Sequence, residues 1–387
     1  MGTPVILCLN SGSSSLKFSA IRFATGVAES LFNGAVEGLG GSSARFWAEK
    51  TGSARFEREG LSPGIEAALD AMLGWLSESK LPSPDAVGHR FVHGGPRHFS
   101  PERVTPTLLT SLQELVPFAP LHLPAELRAV ELLNQRLPGV PQVVCFDTAF
   151  HQNLPEVAQR FALPRALFDQ GIRRYGFHGI SYEYLVQHLG TALGDRAVLA
   201  HLGSGASMAA VRNGICVETT MGFGPTGGFM MGTRSGDLDP SILIHLLRAN
   251  GASVDGLEQL LNRSSGLLGV SGSSADMKVL LAQATESAEA QLAVEMFCYQ
   301  AAKAVGALTV TLGGLNTLVF AGGVGEHATP VRSAICERLG HLGVELDGRS
   351  NDRHEKIISA EGSRVTVHVV ETDEDLIIAQ HVHRLLS

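Results

Sequence analysis

Residues 5–22 of the chain read VILCLNSGSSSLKFSAIR, an apolar run, a turn of small residues and a second apolar run that ends at Arg22. Residues 198–212, VLAHLGSGASMAAVR, repeat this pattern in the middle of the chain, with glycine and serine again in the turn. Each stretch predicts a strand, a tight turn and a returning strand. We therefore expect one structural unit to be used twice.

The small residues of both turns are suited to binding phosphate. Their backbone N–H groups and hydroxyls can approach an anion closely, because glycine and serine present little or no side-chain bulk. Two such turns facing each other would hold a polyphosphate between two domains. The alternative interpretation is a pair of ordinary β-turns.

Outward from these stretches, short apolar runs alternate with helical patterns. The predicted strands are 5–9, 16–23, 86–92, 140–146, 197–202, 208–211, 318–321 and 365–370. A capping residue followed by proline predicts the start of three helices, at Ser62-Pro63, Asp239-Pro240 and Thr329-Pro330. Alternating strands and helices indicate an α/β architecture.

Composition limits the classes of protein that this chain can belong to. Its 387 residues suggest two domains, and 30 basic against 38 acidic residues give a net charge of −8, which offers no general field for nucleic acid or an anionic membrane. The five cysteines are scattered and form no C-x-x-C, so neither a disulfide framework nor a cysteine zinc site is expected. The N-terminus lacks the pattern of a signal peptide. We expect a cytoplasmic protein with no nucleic-acid or membrane partner.

Several common catalytic motifs are missing. The sequence contains no P-loop motif, no G-x-G-x-x-G after a strand and no H-E-x-x-H. One G-x-S-x-G match occurs at residues 60–64, but the residue after Ser62 is Pro63, which has no N–H to offer to an oxyanion. We therefore interpret Ser62 as a helix N-cap.

Two arginines are the strongest candidates for binding an anion. Arg90 ends an apolar strand in GHRFVHGG, residues 88–95, and Arg234 lies among small and apolar residues in GFMMGTRSGD, residues 228–237. A planar guanidinium in such surroundings needs an anionic partner, and its geometry suits carboxylate or phosphate. For each, the alternative is a solvated surface charge.

Further candidates stand at strand ends and turns. Asp147 follows an apolar strand, where open α/β sheets place their sites, although it could equally be a cap. His122 and His178 stand in turn-like contexts and would more often be structural. Residues 322–327, GGVGEH, connect a strand to a helix, and residues 371–375, ETDED, form either a helix-terminal charge cluster or a hard-metal site. By themselves, these residues predict an enzyme of two α/β domains that binds and transfers phosphate groups.

At this point the sequence resembles the acetate kinase family, within the actin, sugar kinase and heat-shock ATPase superfamily. The matching segments are NSGSSSLK (10–17), GHRFVHGG (88–95), APLH (119–122), FDTAFH (146–151), RYGFHG (174–179), HLGSG (201–205), MGTRSGDLDP (231–240), GGVGE (322–326) and the acidic run that ends at Asp375. Their order spans nearly the whole chain.

The resemblance implies a two-domain actin-like ATPase (ribonuclease H-like) fold with duplicated βββαβαβα cores and an interdomain active-site cleft. The first domain would comprise residues 1–148, rejoined by a C-terminal helix at 376–387, and would take the acyl substrate. The second domain, residues 149–375, would bind the nucleotide.

The resemblance also implies reversible, Mg²⁺-dependent transfer of a phosphoryl group from ATP to acetate, giving ADP and acetyl phosphate, in a homodimer. Mn²⁺ would substitute for Mg²⁺. The implied catalytic residues are Arg90, Asp147, His178 and Arg234. The acid would be bound by Arg90, Val92, Leu121, His122, Phe177 and Pro225. ATP or ADP would be bound by Lys17, His201, Leu202, Gly203, Ser204, Gly205, Asp276, Met277, Lys278, Gly322, Gly323, Val324, Gly325 and Glu326. The implied metal ligands are Asn10 and Glu374.

Within those roles, a carboxylate substrate is already an anionic nucleophile and needs no strong base. We therefore expect Asp147 to orient Arg90 or the substrate. The chain departs from the family pattern at Leu123, Ile180, Tyr182, Ser204 and residues 222–228. The alternatives are a kinase of propionate or another short-chain acid, and a nucleotide-binding sensor of the same fold with weak catalysis.

Overall fold

The computed structural model describes residues 3–12, 14–24, 27–249 and 251–387, so Ser13 of the first turn lies outside the described residues. The chain divides into two compact units. Unit 1 comprises Met1–Phe150 and Asp373–Ser387, and unit 2 comprises His151–Thr372. Among the described residues, no helix combines the length and the apolar composition that crossing a bilayer requires.

Unit 1 is built on an eight-stranded sheet with the order β5-β4-β3-β2-β1-β6-β8-β7. Its strands are β1 Val5–Ser11, β2 Ser15–Ala24, β3 Val27–Glu37, β4 Ala44–Lys50, β5 Phe56–Leu61, β6 Ala86–Phe91, β7 Glu102–Arg103 and β8 Gln142–Phe146. Strand β1 runs antiparallel to β2 and parallel to β6, which is parallel to β8.

Unit 2 is built on a five-stranded sheet with the order β11-β10-β9-β12-β13. Its strands are β9 Arg196–Leu202, β10 Ala206–Arg212, β11 Ile215–Thr219, β12 Thr317–Ala321 and β13 Thr366–Val369. This order and these strand directions reproduce β3-β2-β1-β6-β8 of unit 1. The prediction of a duplicated α/β core is confirmed.

The helices lie between these strands and after them. They are α1 Ile65–Glu78, α2 Pro106–Gln113, α3 Leu123–Arg136, α4 Glu156–Gln159, α5 Arg165–Asp169, α6 Gly179–Leu189, α7 Pro240–Ala249, α8 Val254–Arg263, α9 Gly266–Ser271, α10 Met277–Gln283, α11 Ala288–Leu312, α12 Gly322–His327, α13 Thr329–Glu337, α14 Gly348–Asp352 and α15 Glu374–Leu386. Short 3₁₀ turns occur at Val116–Phe118, Ala149–His151, Gly190–Leu193 and Gly340–Leu342.

Two of the three predicted helix caps are wrong. Helix α1 has Gly64 as its N-cap, without a side-chain cap bond. The helix begins at Ile65, so Ser62 lies two residues before the cap. Thr329 is the first residue of α13, and Ala328 precedes it as the cap. Asp239 does cap its helix end, because its carboxylate accepts a hydrogen bond from the Ser241 N–H at 2.8 Å.

Helix α15 returns the C-terminus to the centre of unit 1, where it packs on β1 and β6. Gly88 of β6 permits this packing. A Cβ atom there would lie 2.4 Å from Cγ2 of Ile378 and 2.8 Å from Cγ2 of Val382. The close approach brings Glu374, the first residue of α15, to the same sheet as Arg90.

Glu126 is a buried carboxyl group that joins α3 to the end of β6. Its side chain is 1% exposed, and both of its oxygens accept from the Val92 N–H at 3.2 Å. Burial raises the pKa of Glu126 from 4.5 to about 8, against the opposing effects of Arg90 and the Val92 N–H. Between pH 4.5 and about 8, Glu126 is therefore protonated in the folded protein and ionised in the unfolded chain.

The sign of this shift gives a test of stability. The stabilisation from neutral Glu126 is complete below the unfolded pKa of 4.5 and is lost as the pH rises through 8. As the pH rises from about 5.5 to 7.5, the free energy of unfolding in urea should therefore fall less for Glu126→Gln than for wild type. The difference between the two slopes should be at most about 1.4 kcal/mol per pH unit. Glu131→Gln, an exposed position on α3, is the control. Parallel pH profiles for all three proteins would contradict a protonated Glu126.

Candidate active site

In unit 1, the predicted site residues meet at the carboxyl ends of three parallel strands. Asn10 of β1 is aligned with Arg90 of β6, and Arg90 is aligned with Cys145 of β8, two residues before Asp147. The Asp147 N–H donates to the Phe91 carbonyl at 2.9 Å, so the chain leaving β8 stays beside β6. This is the edge at which open α/β sheets bind ligands.

The guanidinium of Arg90 is the centre of this cluster. Its Nη2 donates to the carboxylate of Asp147, and its Nη1 donates to Oδ1 of Asn10 at 3.2 Å. Its Nε lies 3.8 Å from Oε2 of Glu374 and has no hydrogen-bond acceptor among the described residues. The Arg90 side chain is 15% exposed, whereas Asp147 is fully buried. The cation is thus anchored through both of its Nη atoms, and part of its side chain remains exposed.

Electrostatics keep Arg90 charged despite its burial. Burial alone would lower the pKa of Arg90, but the carboxylates of Asp147 and Glu374 raise it above its ordinary value. A buried cation of this kind is stable only when anions and hydrogen-bond acceptors surround it. The Arg90 guanidinium therefore stays charged among acidic and polar partners.

The acidic run at 371–375 contains the N-cap and the first two residues of helix α15. Asp373 caps α15, because its carboxylate accepts from the Leu376 N–H at 2.9 Å. Burial raises the pKa of Glu374 to about 7, although Arg90 acts in the opposite direction. The described parts of the chain contain no group of three or more His, Cys, Asp or Glu side chains arranged for a metal ion.

The predicted metal ligands still suit Mg²⁺ in their chemistry. Asn10 and Glu374 supply an amide oxygen and a carboxylate, both hard donors, and both lie against Arg90. Mg²⁺ usually keeps several waters and takes only one or two protein carboxylates. Lys17, which was predicted to bind nucleotide, lies opposite Asn10 on β2 and interacts electrostatically with Glu374.

The residues predicted to bind the acid are divided between the units. Val92 is buried after β6, while Leu121 and His122 are partly buried at the start of α3 in unit 1. Phe177 is buried in unit 2, where its carbonyl accepts from Nε2 of His151 at 3.0 Å. The carbonyl of Pro225, also in unit 2, accepts from Nη1 of Arg234 at 3.1 Å.

In unit 2, two imidazoles are stacked at the turn between β9 and β10. The rings of His178 and His201 lie 4.3 Å apart with 22° between their planes. The hydroxyl of Ser207 lies 2.8 Å from Nδ1 of His178, and that of Ser181 lies 2.8 Å from Nδ1 of His201. His178 has a left-handed backbone, with φ 57°. Such strain in a residue other than glycine is typical of functional sites.

Gly205 leaves the space at which His178 and Arg234 converge. A Cβ atom on Gly205 would lie 3.2 Å from Nη1 of Arg234 and 3.5 Å from Nε2 of His178. The missing side chain therefore opens a space that a cationic and an imidazole nitrogen both border. This arrangement suits the oxygens of a phosphoryl group.

Three of the predicted nucleotide-binding segments surround one cavity of about 570 Å³ in unit 2. Its lining includes Gly203 and Ser204, the segment Asp276–Lys278, and Gly323 and Val324. The wall is completed by apolar side chains, among them Leu281 and Phe297. Both the size and the apolar lining are typical of small-molecule sites. Asp276 also caps α10 by accepting from the Lys278 N–H at 2.7 Å.

The GGVGE segment forms α12, directly after β12. Gly322 has φ 74°, and a Cβ atom there would lie 2.8 Å from the Leu202 carbonyl oxygen, so the passage requires glycine. Oε1 of Glu326 accepts from the Gly322 N–H at 2.8 Å. Arg332, which is fully buried, donates to the carbonyls of Gly325 and Glu326 at 2.8 Å each. The segment is therefore held at both of its ends.

Sequence reasoning missed four residues that support the site. Glu126 and Arg332 are charged residues on otherwise apolar helix faces, which is the signal that could have found them. Tyr182 was noted only as a departure from the family pattern. Ser207 was counted only as a turn residue. Nothing local in the sequence reveals that it contacts His178.

Comparison with known proteins supplies the family. Residues 5–380 match the Acetokinase family. The acetate kinase of Rhodopseudomonas palustris (strain ATCC BAA-98 / CGA009) is 45% identical over 395 residues, which cover 98% of this chain and 98% of that protein. Both findings agree with the resemblance carried by the motifs.

Solved structures give the same result. The acetate kinase of Porphyromonas gingivalis superposes with a TM-score of 0.90 at 38% identity, covering 99% of this chain and 100% of that one. A propionate kinase from Francisella tularensis subsp. tularensis SCHU S4 gives a TM-score of 0.93 at 34% identity, covering 98% and 99%. This chain belongs to the acetokinase family.

Proposed function

We propose that the protein is an acetate kinase, which transfers the γ-phosphoryl group of ATP reversibly to acetate and gives acetyl phosphate and ADP. The observation that carries the proposal is Arg90, a charged guanidinium that is anchored by Asp147 and Asn10 and keeps part of its side chain exposed at the carboxyl ends of the strands. A small carboxylate is the ligand that such a group binds best.

The chemistry requires orientation more than proton transfer. A carboxylate oxygen of acetate would form the new bond to phosphorus, while the bond from phosphorus to the bridging oxygen of ADP breaks and ADP leaves with the electron pair. Because the nucleophile is already an anion, no base has to deprotonate it. Asp147, fully buried and bonded to Arg90, acts in this proposal by orienting the guanidinium.

Charge on the transferring group would be stabilised from unit 2. His178 and Arg234 border the space at Gly205 and would donate to the equatorial oxygens of the phosphoryl group. The turn at residues 203–205 and the segment 322–326 would contact the phosphates, and the apolar cavity would take the nucleoside. Asn10 and Glu374 would hold Mg²⁺ or Mn²⁺, which neutralises charge on phosphate oxygens when bound.

Propionate is the main alternative to acetate as the substrate. The 45% identical relative is named as an acetate kinase, whereas one structural neighbour is named as a propionate kinase. One methylene in an apolar pocket changes specificity by only about 10- to 200-fold. Acetate is the first choice because the more similar relative carries that name.

The substrate can be tested by trapping acyl phosphate as its hydroxamate, with ATP, Mg²⁺ and acetate, propionate or butyrate. We expect the highest kcat/KM for acetate, with propionate lower by about 10-fold or more. A preference for propionate would reassign the substrate. No product from any of the three acids would overturn the kinase proposal and favour a nucleotide-binding sensor.

Removing Arg234 should affect turnover more than binding. In Arg234→Ala, kcat should fall by about 100- to 1,000-fold, because a donor to the developing charge is lost, while KM for acetate changes little. Arg212→Ala is a suitable control, since the side chain of this arginine of unit 2 donates to the carbonyls of Thr311 and Leu312 at the end of α11. Turnover of Arg234→Ala within a few-fold of wild type would remove Arg234 from the site.

We also propose that the protein is a homodimer, associated through α7. Ile242, Ile244 and Leu247 of this helix are 43–48% exposed, and Ile244 and Leu247, three residues apart, lie on one side of it. A two-fold axis would allow the same surface of a second copy to cover it.

The dimer can be tested by sedimentation. Leu247→Glu should shift the protein toward monomer at micromolar concentration, because a charge would have to be buried. Val310→Glu, on the exposed side of α11, should leave the sedimentation coefficient unchanged. A wild-type protein that sediments as a monomer would contradict this part of the proposal.

A further inference from the structure

A chain of three polar side chains leads from the interior of unit 2 to His178. Tyr182 of α6 and Ser207 of β10 are both fully buried. The hydroxyl of Tyr182 is hydrogen-bonded to the hydroxyl of Ser207, which in turn lies 2.8 Å from Nδ1 of His178. Ser207 is therefore the link between the tyrosine and the imidazole.

The direction of these hydrogen bonds follows from the chemistry of the groups. Each hydroxyl has a single hydrogen to donate. A phenol is a better donor than an alkyl hydroxyl, and an unprotonated imidazole nitrogen is a better acceptor than a phenolic oxygen. The favoured arrangement has Tyr182 donating to Ser207 and Ser207 donating to Nδ1 of His178. A neutral imidazole then carries its hydrogen on Nε2.

The opposite edge of the ring points at the space above Gly205. Nε2 of His178 and Nη1 of Arg234 lie 3.5 Å and 3.2 Å from the point that a Cβ atom of Gly205 would occupy. The stack on His201 holds the plane of the ring. A hydrogen on Nε2 would therefore be directed at an anion in this space, whereas a bare Nε2 would repel one.

We propose that Tyr182 is a positioning residue, which acts through Ser207 to hold His178 in the tautomer with hydrogen on Nε2, ready to donate to the transferring phosphoryl group. The donation to a phosphoryl group rests on the proposed function, whereas the tautomer of His178 does not. Tyr182 is also one of the positions at which this chain departs from the family pattern.

The kinetic test uses a double-mutant cycle. We expect Tyr182→Phe to lower kcat by about 5- to 20-fold, as the loss of one buried hydrogen bond implies, with KM for ATP and acid within about 2-fold of wild type. Ser207→Ala should lower kcat at least as much. Because Tyr182 acts through Ser207, the double variant should be no slower than Ser207→Ala alone.

The control is Tyr184→Phe, which removes a hydroxyl from the same helix where it contacts His188 at 3.3 Å. Its kcat should equal that of wild type. Additive effects of the two substitutions, an unchanged kcat in Tyr182→Phe, or a raised KM with unchanged kcat would each overturn the proposal.

A spectroscopic measurement separates this inference from the proposed function. In protein with ¹⁵N-labelled histidine, the ring of His178 should show a protonated Nε2 and an unprotonated Nδ1, and Tyr182→Phe should shift it toward a mixture of tautomers. Hydrogen on Nδ1 in the wild-type protein would refute the inference even if the enzyme is active. If wild type makes no acyl phosphate, the proposed function fails and the ring signals still decide the tautomer.

Discussion

The buried ion pair of Arg90 and Asp147 is the interaction on which the rest of the site depends. A guanidinium taken out of water is costly unless a carboxylate and further acceptors surround it, and here parallel strands β6 and β8 bring the two side chains together. Asn10 arrives from β1 and Glu374 from the return of α15, so three other parts of unit 1 converge on the Arg90 cation of β6. The order of the strands therefore determines the chemistry.

The duplicated core serves two different purposes. In unit 1 the first strand of the repeat delivers Asn10 beside Arg90, whereas in unit 2 the corresponding strand delivers His201 and leads to Gly205. In the proposed function, the strand-turn-strand unit of unit 1 lies beside a cation that binds the acid. The corresponding unit of unit 2 lies beside nitrogen donors that bind the phosphoryl group. Gly88 and Gly322 are required because neighbouring atoms lie too close for a Cβ atom, whereas the absent side chain of Gly205 leaves space between His178 and Arg234.

The sequence was sufficient to predict the strands that carry the site. All eight predicted strands are present, whereas β3, β4, β5, β7 and β11 were not predicted. Arg90 could be selected because it lies near the end of a buried strand, and Asp147 because it follows one. The caps at Ser62 and Thr329 were wrong by one or two residues, because a cap-then-proline motif does not locate a helix start more closely than that. Glu126 and Arg332 show only as charged residue types on apolar helix faces, and their partners could not be predicted; Ser207 could not be selected at all, since its role arises from contacts with residues distant in sequence. Such contacts are properties of the folded chain.

Replacing Arg90 with lysine tests most directly whether its planar, anchored fork binds the acid. The Arg90→Lys variant keeps the positive charge but loses the geometry that contacts Asp147, Asn10 and a carboxylate together. We predict that kcat/KM for the acid falls by about 100-fold or more while KM for ATP stays within about 2-fold of wild type. A variant that retains kcat/KM for the acid within a few-fold would contradict the account, because charge alone would then suffice.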